Sequence, residues 1–264
     1  MELNTDKMIA EKKGGVGWMT FNNPDKRNAT SLEMWQAIAT ILTDFEADDT
    51  IRAIVTKGAG DKAFVSGADI SEFKERRNDA AAAAEYTKIS EDARTAMANL
   101  RKPFIAMIRG YCLGGGMAVA MTTDMRIATE ESQFGIPAAR LGIAYGFDGL
   151  SKLVDLVGPA FANEILLTGR RLNAEEALRI GLVNRIVPDG ELEKTVDEIT
   201  DALCENAPLS MEANKFTIRE ILKDPDKQDH DEIARLTQVC FDSQDYQEGR
   251  QAFMDKRRPE FKGR

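Results

Sequence analysis

Histidine is almost missing from this sequence: of 264 residues, only His230 is one. A Ser-His-Asp triad or a multi-histidine metal centre would have to be built around that residue, and no neighbouring motif supports either. Cysteine is scarce as well. Cys112, Cys204 and Cys240 are too few and too scattered for a disulfide framework or a zinc site, which points to a reduced, cytoplasmic setting with no metal. Basic charge is in deficit, because 35 Lys and Arg against 44 Asp and Glu leave a net −9. An acidic surface repels nucleic acid and anionic membranes at long range, so neither is an expected partner. An anionic ligand has to be met by a local basic patch. Long apolar runs are lacking too: the longest neighbourhoods are broken by Arg109, Asp124 and Arg126. Residues 1–13 contain no apolar core of signal-peptide length.

Hydrophobic residues make up 43% and charged residues 30%, a balance that supplies ample core and excludes a low-complexity chain. Short apolar-polar runs at Lys7–Lys13 and Val16–Asn22, separated by Gly14-Gly15, predict a β-hairpin. Ser31 is a good N-cap for a helix over Leu32–Ala47, whose Trp35, Ile38, Leu42 and Phe45 recur at helical spacing and face a core. Strands are expected at Ile51–Thr56, Ala63–Val65, Phe104–Arg109 and Met125–Ala128, with a long alanine-rich helix over Asp79–Leu100. Strand and helix units alternate, which argues an α/β fold. After about Val187 the pattern is helical only: Leu192–Asn206, Ser210–Leu222, Asp231–Phe241 and Gln244–Arg257, with a polar loop at Asp224–Asp229. The division expected is a core over residues 1–190 and a helical region over 191–264. No strong internal repeat is visible.

Two glycine-bearing segments carry the chemistry. The first runs from Arg109 through Gly114-Gly115-Gly116 to Met117 and Ala118. It follows a buried strand and leads into an apolar run. A helix starting there leaves N–H groups unpaired and aimed outwards, able to hold an oxyanion; a close-packed turn is the other reading. The second runs Ala63-Phe64-Val65-Ser66-Gly67-Ala68-Asp69-Ile70, a strand end passing through glycine towards a helix. No Lys-Ser/Thr follows either segment and neither has the GxGxxG spacing, so a P-loop and a dinucleotide fingerprint are both excluded.

Together these segments resemble the crotonase superfamily, the enoyl-CoA hydratase/isomerase family. The resemblance begins at Phe21–Ala29 and continues through Phe64–Ile70 and the glycine triplet. It includes Ser132–Pro137, Leu167–Arg170 and Glu175–Val183, and ends at Glu248–Arg257. It implies a spiral of ββα units with a C-terminal helical region used for trimer packing, as a trimer or a hexamer. It implies an acyl-CoA substrate, with coenzyme A entering only as part of the thioester and no other cofactor. In the family two backbone N–H groups bind the thioester oxygen; carried over by motif, they belong to Ala68 and Gly115. Gly67, Asp69, Ile70, Gly114, Met117 and Pro137 flank these positions as substrate contacts. Lys26, Arg27 and Lys62 lie in loops beside the Ala68 segment, where they either meet coenzyme A phosphates or are solvated loop charges. Phe253 and Lys256 match positions that in the family reach the coenzyme A of a neighbouring subunit.

The resemblance has departures. The two glutamates that the classical hydratases use fall, by motif, at Ala118 and Ala138, and alanine moves no proton. Met117, Ala118, Val119, Ile136, Ala138 and Ala144 are the expected pocket walls, with Ser66, Arg140, Tyr145 and Asp148 as polar candidates. Tyr145 either orients a carboxylate or supplies a proton, or is a wall tyrosine. Asp148 reads as a base or as a loop cap, and Arg140 as a surface ion pair or a carboxylate ligand. A tyrosine at 145 resembles the superfamily's methylmalonyl-CoA decarboxylases, although the histidine they carry is replaced here by Ala68. Three functions follow: a hydratase/isomerase-like lyase, with Tyr145 and Asp148 as its acid–base candidates; an acyl-CoA decarboxylase using Tyr145; and an acyl-CoA-binding protein without chemistry.

Overall fold

The computed structural model describes residues 3–69 and 80–264. The expected hairpin forms: β1 (Met8–Lys13) pairs antiparallel with β2 (Val16–Phe21). The Ser31 hydroxyl accepts the Met34 N–H and starts α1 (Leu32–Ala47). Trp35, Ile38, Leu42 and Phe45 are all buried, as their spacing requires. The chain continues through β3 (Ala53–Gly58), β4 (Ala63–Val65), α2 (Ala80–Ala98), β5 (Phe104–Ile108), β6 (Tyr111–Leu113), α3 (Gly115–Ala120), β7 (Met125–Thr129) and β8 (Gln133–Gly135). A 3-10 turn at Pro137–Leu141 precedes α4 (Phe147–Thr168), which Gly158 (φ 72°) and Pro159 break into two. β9 (Leu172–Asn173), α5 (Ala174–Arg179) and β10 (Arg185–Val187) complete this part.

The strands fall into two sheets, one in the order β1-β2-β3-β5-β7-β10 and one in the order β4-β6-β8-β9. Within each, β2-β3-β5-β7-β10 and β4-β6-β8 are parallel. Each turn of the chain therefore lays one strand in each sheet, β3 then β4, β5 then β6, β7 then β8. The result is the mixed α/β spiral of ββα units. β5 is apolar at every position because both faces are covered. Ile105 and Met107 join Val16, Val55 and Ile127 on one face, while Phe104, Ala106 and Ile108 face the main core on the other. β6, β8, β9 and β10 have no counterpart in the sequence reading, since two or three residues are too few to show alternation, and α4 and α5 have none either.

Four helices follow β10: α6 (Leu192–Glu205), α7 (Pro208–Ile221), α8 (His230–Asp242) and α9 (Gln244–Asp255). They are fastened to the strands in three ways. Leu192 and Val196 of α6 cover the outer face of the large sheet. On α7 the Lys215 ammonium donates to Asp124 Oδ2 at 2.6 Å and to the Lys102 carbonyl at 2.8 Å. Burial pulls this amine's pKa down, and Asp124 opposes the shift. The chain end folds back, with Arg52 Nη2 donating to the Phe261 carbonyl and the buried Asp245 accepting from the Lys262 and Gly263 amides. No helix among the described residues is long and apolar enough to cross a membrane.

Glu248 clamps the same tail. Its carboxylate accepts both terminal nitrogens of Arg257 at 2.6 and 2.8 Å and the Glu260 N–H at 2.8 Å. These donors pull its pKa from 4.5 to about 2. A depressed carboxyl pKa contributes stability that is complete above the unfolded value and is lost as pH falls through the folded one. The melting-temperature difference between the wild type and Glu248→Gln is thus expected to be constant above about pH 5 and to shrink as pH falls towards 2. A difference that does not change over this range would show that the charge on Glu248 adds nothing to stability.

Candidate active site

The parallel pairing of β4 with β6 brings the ends of both strands to one edge of the smaller sheet, the side on which open parallel sheets present loops to ligands. The turn after β4 holds Ser66, Gly67, Ala68 and Asp69; the turn after β6 holds Gly114 and opens α3 at Gly115. Thr30 fixes the first turn. Its N–H donates to the Gly67 carbonyl at 2.8 Å, and its carbonyl accepts the Asp69 N–H at 2.9 Å. This is a parallel bridge centred on Ala68. Residues 67 and 69 point their groups at Thr30, so the N–H of Ala68 faces the other way, and it donates no backbone hydrogen bond among the described residues. Gly115 is the first residue of α3, so its N–H has no acceptor within the helix. The two amides open on a shared space. A methyl group built on Gly115 would lie 3.6 Å from Ala68 N, 3.5 Å from the Gly67 carbonyl carbon and 3.6 Å from Thr30 Oγ1.

Two glycines make this approach possible. Gly114 sits at φ 51°, ψ −110°, a conformation closed to side-chain-bearing residues, and its N–H is anchored on the Gly135 carbonyl at 2.8 Å. Gly116 lies directly against the Val65 carbonyl oxygen at the end of β4, where a Cβ would have no room.

The polar residues expected to contact substrate turn much of their capacity on each other. Lys26 Nζ pairs with the buried Asp69 carboxylate at 2.8 Å. The Ser66 hydroxyl donates to the Lys26 carbonyl at 3.4 Å, and the Ser66 N–H donates to the Arg27 carbonyl at 3.1 Å. These three bonds stitch the turn at 24–27 to the Ala68 turn. Arg27 and Lys62 remain at a cleft of about 350 Å³ together with Asn28 and Asp61. The Arg27 guanidinium lies 5.4 Å from the centre of the Tyr111 ring, and that of Arg171 lies 5.1 Å from it.

The walls divide. Ala118 is partly exposed, whereas Met117 (1%) and Val119 (0%) belong to the packed core and not to an open surface, because successive helix positions point in different directions. Ile136 and Ala138 are buried too, and Pro137 is half-buried at the start of its 3-10 turn. Arg140 is exposed and packs over Gly169 at the end of α4. Phe253 is exposed on α9, and Lys256 forms the left-handed cap of that helix; neither joins the Ala68 segment within this chain. Ile70 lies outside the described residues. Asp148 lies in α4, and its side chain is outside the description.

Tyr145 has a neighbour that the sequence reading missed. Arg94, on α2, is within electrostatic reach of the phenol, and its guanidinium carbon stands 5.7 Å from the Trp35 ring centre. Trp35 Nε1 in turn donates to Tyr86 Oη at 3.2 Å. Burial raises the Tyr145 pKa and Arg94 opposes the shift, so the phenol keeps its proton at neutral pH. The signal is present in the helix: Tyr86, Ser90, Ala93 and Met97 form the buried stripe of α2, and Arg94 is a charge at its edge.

Comparison with known proteins agrees with this architecture. Residues 11–264 match the family model described as Enoyl-CoA hydratase/isomerase. A short-chain-enoyl-CoA hydratase of Clostridium acetobutylicum is 36% identical over 266 residues, covering 100% of both chains. A carnitinyl-CoA dehydratase of Salmonella typhi is 33% identical over 98% of this chain and 100% of its own. The crystal structure of an enoyl-CoA hydratase/carnithine racemase from Magnetospirillum magneticum superposes with a TM-score of 0.93 at 34% identity, covering 99% of this chain and 97% of that one.

Proposed function

The chain belongs to the enoyl-CoA hydratase/isomerase family, and from that premise we propose that it is a lyase that transforms an acyl-CoA thioester by stabilising its enolate between the N–H groups of Ala68 and Gly115. The observation that carries this reading is the space shared by these two amides, neither of which has a backbone acceptor among the described residues. Negative charge that develops on a thioester oxygen placed there meets two fixed dipoles that need no reorganisation. Each such donor contributes roughly 2.7–4 kcal/mol in the transition state. Arg27 and Lys62, at the neighbouring cleft, suit the phosphates of coenzyme A on an otherwise acidic protein. No cofactor beyond the substrate's own coenzyme A is needed.

Hydration by a pair of glutamates does not suit alanines at 118 and 138, since each general acid or base contributes about 10²–10⁴-fold. If water is added or removed, Tyr145 and Asp148 are the proposed replacements. A second reading, decarboxylation of a malonyl-type thioester, is favoured by alanines at 118 and 138, because it forms the enolate without a carboxylate base. In that reaction the bond between the α-carbon and the carboxylate breaks, CO₂ leaves, and the electron pair becomes the enolate that the two amides hold. The α-carbon then takes a proton, with Tyr145 as the donor. The bond-breaking step needs no base.

The proposed organisation is a core over 1–190 and an assembly region over 191–264, forming a trimer or a hexamer. Ile218, Ile221 and Leu222 at the end of α7, Phe241 of α8 and Phe253 of α9 expose large apolar surfaces that suit subunit contacts. The test of function is a pool of crotonyl-, longer enoyl-, methylmalonyl- and ethylmalonyl-CoA incubated with enzyme and resolved by chromatography and mass. Gain of water supports the hydratase-like reading, loss of CO₂ the decarboxylase. Tight binding by calorimetry with every thioester unchanged in mass and retention would replace both with a binding role.

A further inference from the structure

Thr30 is completely buried, yet its side chain carries a hydroxyl where valine would fill the same shape without the cost of taking a polar group out of water. The hydroxyl donates to the Gly67 carbonyl oxygen at 3.3 Å. The Thr30 N–H donates to the same oxygen at 2.8 Å. One carbonyl thus accepts two donors from a single residue, using both of its lone pairs. That carbonyl belongs to the peptide unit whose N–H is the Ala68 donor.

The backbone holds Thr30 in place from both sides. Before it, Arg27 and Asn28 adopt left-handed conformations at φ 53° and 56°. The buried Asn28 amide fixes this turn: its Oδ1 accepts the Asn23 N–H at 2.9 Å, and its Nδ2 donates to the Ala63 carbonyl at 2.7 Å and to the Ala59 carbonyl at 3.0 Å. After it, Ser31 caps α1. The hydroxyl also borders the space between the two amides. A methyl group built on Gly115 would lie 3.6 Å from Thr30 Oγ1, the same distance as from Ala68 N.

We propose that Thr30 is a positioning residue of the reaction, whose hydroxyl strengthens the Ala68 N–H as an oxyanion donor by polarising the Gly67–Ala68 peptide. The inference rests on the reading that Ala68 and Gly115 hold the thioester oxygen. A peptide unit is conjugated, so a donor at its oxygen draws electron density from its nitrogen and leaves the N–H more positive. As charge grows on the thioester oxygen, the Ala68 N–H gives up density to it, and the Gly67 oxygen becomes a better acceptor. The 3.3 Å bond is long for an O–H donor, and such a bond tightens when the transition state calls on it. The substrate touches Ala68; Thr30 acts on it only through the peptide.

The test uses Thr30→Val, which removes the hydroxyl and keeps the backbone bridge, beside Thr30→Ser, which keeps the hydroxyl. Butyryl-CoA labelled with ¹³C at its carbonyl is the probe, and infrared difference spectra read its stretching frequency. In the wild type, binding is expected to lower this frequency relative to water. Thr30→Val is expected to lose about 10–30% of that shift, the cooperative share of one bond. For the best thioester of the pool, its kcat should fall about three- to tenfold, while the Kd of butyryl-CoA, which carries no full charge on its oxygen, stays within about twofold. Thr30→Ser should recover both the shift and the rate. A wild-type shift and kcat in Thr30→Val overturn the proposal. So does an equal loss of kcat and of butyryl-CoA affinity, which marks packing alone, and so does a Thr30→Ser protein no better than Thr30→Val. Melting curves report folding; should Thr30→Val not fold, Thr30→Ser against Thr30→Ala makes the same comparison of one hydroxyl. If no thioester turns over, the frequency carries the test. A wild type that binds butyryl-CoA with no shift defeats the two-amide reading and this inference with it, whereas a wild-type shift that Thr30→Val leaves whole defeats this inference alone.

Discussion

Gly115→Ala is expected to leave the fold intact and to lower kcat/KM by about 10²–10³-fold, the effect of losing one oxyanion donor. Gly115 lies within a regular helix, a conformation alanine prefers, so the backbone gains from the change. The added methyl meets its neighbours at 3.5–3.6 Å, which is ordinary contact. It fills the space between the Ala68 and Gly115 amides, and the thioester oxygen can no longer reach both. Melting temperature and circular dichroism should match the wild type while turnover of the best thioester from the pool collapses. Wild-type kinetics in this variant would remove the two-amide site from consideration.

One residue further on, the same substitution acts in the opposite sense. Gly116→Ala directs its methyl into the Val65 carbonyl oxygen, a backbone atom at the end of β4 that cannot swing aside as a side chain would. Overpacking of this kind costs about 3 kcal/mol, a fall in melting temperature of roughly 6–12 °C for a chain of this size. Because the strain lies between α3 and β4, relief of it also moves Ala68, three residues past Val65, relative to Gly115. Activity should fall with stability, and thermal unfolding measured beside Gly115→Ala separates the two. A Gly116→Ala protein as stable as the wild type would show that α3 and β4 are not in the contact described.

Elements with a strong local signal are legible in the sequence. The capped, periodic α1 occupies the expected residues, and the hairpin, the long alanine-rich helix and the four C-terminal helices differ from expectation by no more than two residues at any end. The two glycine-bearing turns stand out by composition and motif. β6, β8, β9 and β10 do not, because a strand of two or three residues is defined by its partners, and α4, broken at Gly158 and Pro159, is not read either. The pairing of Lys26 with Asp69 is also hidden: a loop lysine in a sequence gives no sign that a buried carboxylate from another turn holds it.

Residues close in sequence share a helical face, a cap or a turn. Their chemistry depends on backbone conformation and spacing alone, so the sequence was enough to set these features and the alternation of strands with helices. It also set the single histidine, the three cysteines and the alanines at 118 and 138. Residues distant in sequence meet only when apolar burial closes the two sheets. That closure aligned β4 with β6 and turned the Ala68 amide towards Gly115. It also paired Lys26 with Asp69 and set the Arg94 guanidinium over the Trp35 ring. These contacts depend on where whole elements come to rest, a consequence of the shape of the packed core rather than of any local pattern.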